Sequence, residues 1–270
     1  PGVNPGNTII SNTIYNNTNY GVYLSASSDY NTITSNTIYS NAVGGIVAND
    51  SDALGIINNV VYNNTRGIWL INSISNSDFG TRASSTQNTV YNHVYGFYFE
   101  NSKASASLGA VAYNNQYGIY YDNSEPNIFN VSLYSNSVAG LVINNTNPIT
   151  NVQLGELEIY NSTYGILVEN SRHVIFLEDY TQEIYNNTYG LYLGGVNNSN
   201  FTVDSDFGST MIRNNSYNVY LLNSNNNVIN ETKSFGGKFG IFLDNSDSNT
   251  ITNNNFSFYS NVSVNFSVSN

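Results

Sequence analysis

A glycine followed by apolar–any–apolar recurs along nearly the whole chain, and no other feature limits the possible folds as tightly. The anchors are Gly21, Gly45, Gly67, Gly96, Gly118, Gly140, Gly165 and Gly190, then Asn218 in the same role, then Gly240. Successive intervals are 24, 22, 29, 22, 22, 25, 25, 28 and 22 residues. A degenerate copy through Tyr259 to Phe266 closes the series. One position after the anchor stand Val22, Ile46, Ile68, Phe97, Ile119, Leu141, Ile166, Leu191, Val219 and Ile241. The position three after runs Leu24, Ala48, Leu70, Phe99, Tyr121, Ile143, Val168, Leu193, Leu221, Leu243. Alternate residues of a strand share a face, so both rows point inward. One such coil cannot bury its own inner face and needs stacked neighbours for stability.

Five positions past the anchor come Asn72, Asn101, Asn123, Asn145, Asn170, Asn223 and Asn245, each followed by Ser or Thr. Asparagine tolerates left-handed backbone, which suits a tight corner. Stacked coils would set these amides about 4.8 Å apart, within hydrogen-bonding reach along the axis. Helix is a poor competitor, because Asn, Thr, Ser, Tyr and Val rank low in helix propensity. Antiparallel hairpins are disfavoured too: among 52 Asn and 21 Gly there is no Asn-Gly or Asp-Gly pair, the strongest short hairpin turn. The pattern predicts an all-β chain, a right-handed parallel β-helix of about 10–11 coils with a 22–25-residue repeat and two longer, loop-bearing coils. Residues 1–270 are expected to form a single β-helix domain, an excised or mature part of a longer surface protein.

The phrase Asn-x-Ile-x-x-Asn-x-Ile-Tyr-x-Asn-x-x-x-Gly-Ile-x-Leu resembles the parallel β-helix repeat of the carbohydrate-binding and sugar-hydrolase superfamily. Its Asn-rich form is common in archaeal and bacterial surface proteins. The resemblance covers nearly the whole chain and implies the fold. For activity it implies little, since lyases, hydrolases, epimerases and non-catalytic surface proteins share the repeat. A copper-delivery branch shares it as well, but His93, His173, one Met and no Cys give such a role few ligands.

Charge narrows the partners. Only 9% of residues are charged, and the formal net charge is −11 with seven Lys and Arg. That balance repels phosphate backbones and anionic membranes. It also makes a lyase for anionic polysaccharides unlikely, the nearest basic candidates being Arg66, Lys103 and Arg172. No run of 18 apolar residues spans a bilayer. No cofactor is expected, calcium held between carboxylate oxygens being the one metal the residues suggest.

Three surface features remain. The outward position two past the anchor reads Tyr23, Val47, Trp69, Tyr98, Tyr120, Val142, Leu167, Tyr192, Tyr220 and Phe242, an exposed aromatic stripe of the kind that marks a contact surface. Its aromatic members Tyr23, Trp69, Tyr98, Tyr120, Tyr192, Tyr220 and Phe242 are the candidate binding residues, for sugars or for another chain, unless they only stabilise the sheet laterally. A second row just before the anchor (Tyr20, Tyr95, Tyr117, Tyr164, Tyr189, Tyr217, Phe239) reads as packed inward. Four past the anchor, Glu100, Asp122 and Glu169 form an acidic ladder with Asp244 further along, the best candidates for glycosidase-type chemistry. Glu178, Asp179, Glu183, Asp204 and Asp206 make a looser cluster. The phrases Ser77-Asp78-Phe79-Gly80-Thr81 and Ser205-Asp206-Phe207-Gly208-Ser209 fill the two long intervals and read as protruding loops. Finally, the sequons at Asn16, Asn63, Asn161, Asn186 and Asn214 share one corner just before the anchor, as expected for a row of N-glycans.

These readings favour an extracellular cell-surface structural or adhesive module, N-glycosylated and making lateral or filament contacts through the stripe with its own copies or other surface proteins. The alternatives are a carbohydrate-binding module and a polysaccharide hydrolase. Repetition decides the ranking: nearly every special residue recurs as a ladder, whereas an active site breaks the pattern at one place.

Overall fold

The computed structural model describes residues 6–26, 28–52, 54–73, 87–102, 108–146, 152–172, 174–177, 182–202 and 210–267. It is all strand, without helix among these residues, and every strand pairing is parallel. The two insertion phrases, His173, Lys103, Glu178, Asp179, Asp204 and Asp206 lie outside the described residues. No helix of the described residues is long and apolar enough to cross a membrane.

Two compact units divide the chain, residues 1–132 and 133–270. In the first, each coil ends in a long strand that carries the anchor: Tyr20–Ser25, Gly44–Asn49, Arg66–Ile71, Tyr95–Glu100 and Tyr117–Asp122. The second unit repeats it as Ala139–Asn144, Tyr164–Glu169, Tyr189–Gly194, Tyr217–Leu222, Phe239–Asp244 and Val262–Ser267. Within each unit the long strands pair coil on coil without slippage, as in Phe97↔Ile119 and Phe99↔Tyr121 or Ile166↔Leu191 and Val168↔Leu193. Shorter strands such as Thr32–Thr34 and Thr37–Tyr39 build the other faces. A connection from strand to parallel strand is right-handed in nearly all proteins, as the repeat predicts.

Both inward rows form the core. Ile46, Ile68, Phe97, Ile119, Phe99 and Tyr121 are fully shielded from solvent in the first unit, and Val168, Leu193, Val219, Leu221 and Ile241 in the second. The anchor must be small because coils close up there. A methyl group at Gly165 would lie 2.6 Å from both the Gly190 carbonyl oxygen and Ile184 Cγ2 of the next coil. Asn218 is tolerated because Ser234 stands in register with Ile212 and leaves room. The Asn218 amide donates to Ser234 Oγ at 3.0 Å and accepts from the Asn215 amide nitrogen at 3.0 Å.

Corners use the left-handed conformation the asparagines predict. Asn72, Asn101, Asn123, Asn145, Asn170, Asn223 and Asn245 have φ between 47° and 54°. The residue after each is buried, and its hydroxyl satisfies the coil below: Ser102 N–H donates to Ser124 Oγ at 2.9 Å, and Ser224 N–H to Ser246 Oγ at 3.0 Å. At the other corner the column is made of amides. Asn41 Nδ2 donates to Asn64 Oδ1 at 3.1 Å, and Asn187 Nδ2 to Asn215 Oδ1 at 3.1 Å. His93 takes one place in this column. Its Nδ1 lies 3.1 Å from the Asn64 N–H and its Nε2 lies 3.1 Å from the Val61 carbonyl oxygen. Burial lowers its pKa, so the ring is held in the neutral form that can both accept and donate.

Candidate functional site

Along each long strand the outward positions are one before, two after and four after the anchor. The strand Tyr117–Asp122 shows the pattern: Tyr117, Tyr120 and Asp122 are half-buried while Gly118, Ile119 and Tyr121 are buried. The row before the anchor therefore faces outward, not inward as its place near a turn suggests. Its rings pack against the stripe. Tyr95 stacks on Tyr98 at 4.9 Å and meets Tyr120 edge-on at 5.4 Å. In the second unit Tyr189 lies 5.1 Å from Tyr217 in parallel stacking and edge-on to Tyr192 and Tyr220, each 5.3 Å away. Tyr192, Tyr220 and Phe242 stack in turn at 5.3 and 5.2 Å.

The stripe is accordingly a half-buried, two-column aromatic face rather than a freely exposed row. Tyr23 is 47% exposed, whereas Val47, Val142 and Leu167 are buried although they occupy outward positions. Val47 stands in register between the larger Tyr23 and Trp69, whereas Val142 and Leu167 are register neighbours of each other. Several phenols of the face have raised pKa values, Tyr164, Tyr189, Tyr192 and Tyr220 among them. Burial, with the nearby Tyr164 and Glu169 charges, pushes Tyr192 up to about 12. Tyr220 also rises through burial and its hydrogen bond to Asp244 Oδ2, 2.9 Å.

The acidic row rims this face. Glu100 and Asp122 are register neighbours on adjacent coils. Glu169 has Asn144 and Gly194 beside it, so no second carboxylate joins it from those coils; burial raises its pKa. Glu183 of the looser cluster is paired with Arg213 at 2.7 Å. Among the described residues no three His, Asp or Glu side chains converge to hold a metal ion.

Two arrangements escaped sequence reading. One is a tyrosine ladder on a neighbouring face. Tyr15, Tyr39, Tyr62, Tyr91 and Tyr113 stack with centroids 4.8–5.0 Å apart and planes within 11°. Tyr134, Tyr160 and Tyr185 do the same in the second unit, capped by the Arg213 guanidinium 4.2 Å from the Tyr185 ring. The signal was present as the apolar-Tyr phrase of the repeat, but its distance from the anchor is five residues in some coils and six in others. The other is Arg66, which replaces tyrosine in the row before the anchor. Its guanidinium lies 4.2 Å from the Trp69 ring centre, 5.5 Å from Tyr98 and 5.7 Å from Tyr95.

The sequon corner follows the ladder. Asn16, Asn63, Asn161, Asn186 and Asn214 are exposed and left-handed, with φ of 55–57°. In the first unit an open groove of about 760 Å³ runs along this corner, lined by uncharged residues of four coils including Asn16, Asn41, Asn63, Thr65 and Asn92.

Two family models match the chain in sequence. The model described as periplasmic copper-binding protein (NosD) matches residues 134–269, just over half of the chain. The chain belongs to the NosD family. A second model, the right handed beta helix region, matches residues 3–83. No curated protein matches this NosD-family chain in sequence. Among solved structures, the A-module of the mannuronan C-5 epimerase AlgE4 of Azotobacter vinelandii is similar over 98% of this chain and 91% of its own, with a TM-score of 0.55 and 12% identity. The surface adhesin PfbA of Streptococcus pneumoniae matches 96% of this chain and 84% of its own at a TM-score of 0.35 and 11% identity. These identities speak to fold alone. The NosD description points to a location outside the cytoplasm, periplasmic or extracellular, and the chain is an extracytoplasmic β-helix module.

Proposed function

We propose that this module is structural and adhesive, presenting its aromatic face to other copies or other surface proteins and carrying N-glycans on the sequon corner. The two-column face carries the reading: half-exposed rings recur on most coils, and Glu100, Asp122, Glu169 and Asp244 stand along its edge. Large aromatic side chains supply contact area at low entropic cost, and their hydroxyls bond at the periphery. Replacing Tyr192 and Tyr220 by serine is expected to abolish assembly or surface attachment of native material while leaving the fold intact by circular dichroism. Monodisperse monomers that cleave a polysaccharide would overturn the proposal. Intact mass equal to the bare polypeptide would remove the glycans from it.

A second reading, glycan binding, is supported by the uncharged corner groove, whose amides and hydroxyls suit sugar hydroxyls. Copper binding, suggested by the NosD description, does not fit these residues. The chain has no Cys and one Met, and both ring nitrogens of His93 are spent inside the amide column.

A further inference from the structure

One break in the aromatic face carries a charge. Arg66 is the one cation in the row before the anchor, and it sits on Trp69, the chain's single tryptophan. Its Nε is buried without a hydrogen-bond partner, as is Trp69 Nε1. Among the described residues Arg66 has no carboxylate partner, in a chain of net charge −11. A guanidinium held over Trp69, with the Tyr98 and Tyr95 rings within 5.7 Å, is a preorganised fork for a carboxylate. The same face supplies the complement. Glu100, on the next coil but at the far edge of the strand, forms no salt bridge among the described residues. Along an extended strand the five positions between these two columns span about 16 Å, so Arg66 and Glu100 do not meet within one chain.

We propose that a second copy of this chain seats on the face, related by a twofold axis that runs along the direction of coil stacking. The inference rests on the adhesive reading and names its partner. Such an axis reverses strand direction while keeping coil order, so the column before the anchor meets the carboxylate column of the partner copy. Arg66 then lies level with the partner's Ile71 and one coil spacing, about 4.8 Å, from the partner's Glu100, a step the long arginine side chain spans, and the reverse pair forms by symmetry. Tyrosines of that column meet carboxylates too, the contact that Tyr220 already makes with Asp244 within the chain. An axis along the strands would set like column on like and leave Arg66 without an acceptor. Charge complementarity selects the first arrangement.

The strip of one unit is smaller than the surface a stable dimer buries, so the pair is weak, weakened further by salt, and covalent trapping is the suitable readout. The chain has no cysteine, so each introduced one is unique. With a short bis-maleimide, Tyr120→Cys, beside the axis, is expected to cross-link to itself. Tyr117→Cys alone is not, and Tyr117→Cys with Asp122→Cys is expected to link only when the two proteins are mixed. In the Tyr120→Cys background, Arg66→Glu is expected to lower the yield at least tenfold, and adding Glu100→Arg to restore it. Arg66→Gln, the milder change, checks that any loss is not misfolding. Self-linking at position 117, or yields indifferent to Arg66, would overturn the inference. No linking at position 120, with attachment still lost in the Tyr192/Tyr220 serine variant, would refute the second copy and leave the adhesive reading standing.

Discussion

The tyrosine ladder and the aromatic face use the same residue on the same coil spacing, yet they leave different chemistry outside. In the ladder one ring per coil lies parallel to its neighbours, as Tyr39 does between Tyr15 and Tyr62 at 4.9 and 4.8 Å. Every interior ring face is consumed by the next ring, so the ladder is satisfied within the molecule. On the face two rings per coil compete for that spacing. Most rings of the second column turn edge-on, with interplanar angles of 73–90° for pairs such as Tyr164–Tyr192 and Tyr95–Tyr120, while Tyr20–Tyr23 and Tyr95–Tyr98 stay stacked. Edges and hydroxyls then point outward beside carboxylates. One column stabilises; two columns also present.

That contrast can be broken in several ways. The largest effect is expected at a ring belonging to neither surface. Tyr121 is fully buried and stacked on Phe99 at 4.5 Å, so Tyr121→Ala should cost about 3–5 kcal/mol in chemical denaturation. Its hydroxyl is buried without a partner, so Tyr121→Phe should be neutral or stabilising by about 1 kcal/mol. A loss there would show that the hydroxyl has a partner. Next comes the ladder. Tyr39→Ala removes two stacked contacts, each worth about 0.5–1.5 kcal/mol, and should lower stability while leaving cross-linking through position 120 unchanged. Alkali tests both surfaces together. Tyr185 in the ladder and Tyr192 on the face are each pushed up to about 12, burial being the main cause. A phenol whose folded value exceeds its unfolded value near 10 stabilises fully below pH 10. That contribution is lost as pH rises from about 10 to about 12, and thermal midpoints followed with phenolate absorbance should fall over this window. The smallest effect involves no ring stack. His93 stands where other coils have asparagine, its pKa lowered by burial, so its contribution is present above about 6.5 and shrinks as pH falls below it. His93→Asn should flatten the acid limb of the stability curve, with little change at neutral pH.

Much of the fold could be read from residues because each coil repeats one physical demand. The anchor glycines, the two inward rows and the Asn-Ser corners are local consequences of close approach, alternation and left-handed backbone. The face was harder. Whether Tyr95 and Tyr117 point in or out depends on where the strand begins relative to the corner, which spacing alone leaves open. Val47 reads as exposed by alternation and is buried by rings from other coils, a relation invisible along the chain. The ladder was hidden because corners differ by one residue, which blurs its spacing from the anchor. Arg66 read as one scattered cation until its position over Trp69 made it the charged break in the aromatic face.

The amide column also bears on how the protein ages. Deamidation needs an asparagine side chain free to turn and be attacked by the following backbone nitrogen. Asn187 is held at both ends, its oxygen accepting from Ser162 N–H at 2.9 Å and its nitrogen donating to Tyr185 O at 3.0 Å and Asn215 Oδ1 at 3.1 Å. A chain with 52 asparagines would otherwise carry many sites of slow chemical decay. Outside the cytoplasm, where a damaged chain is seldom replaced, locking these amides into the scaffold sets its service life, and decay should appear first at exposed corners outside the sequons, such as Asn223 and Asn245.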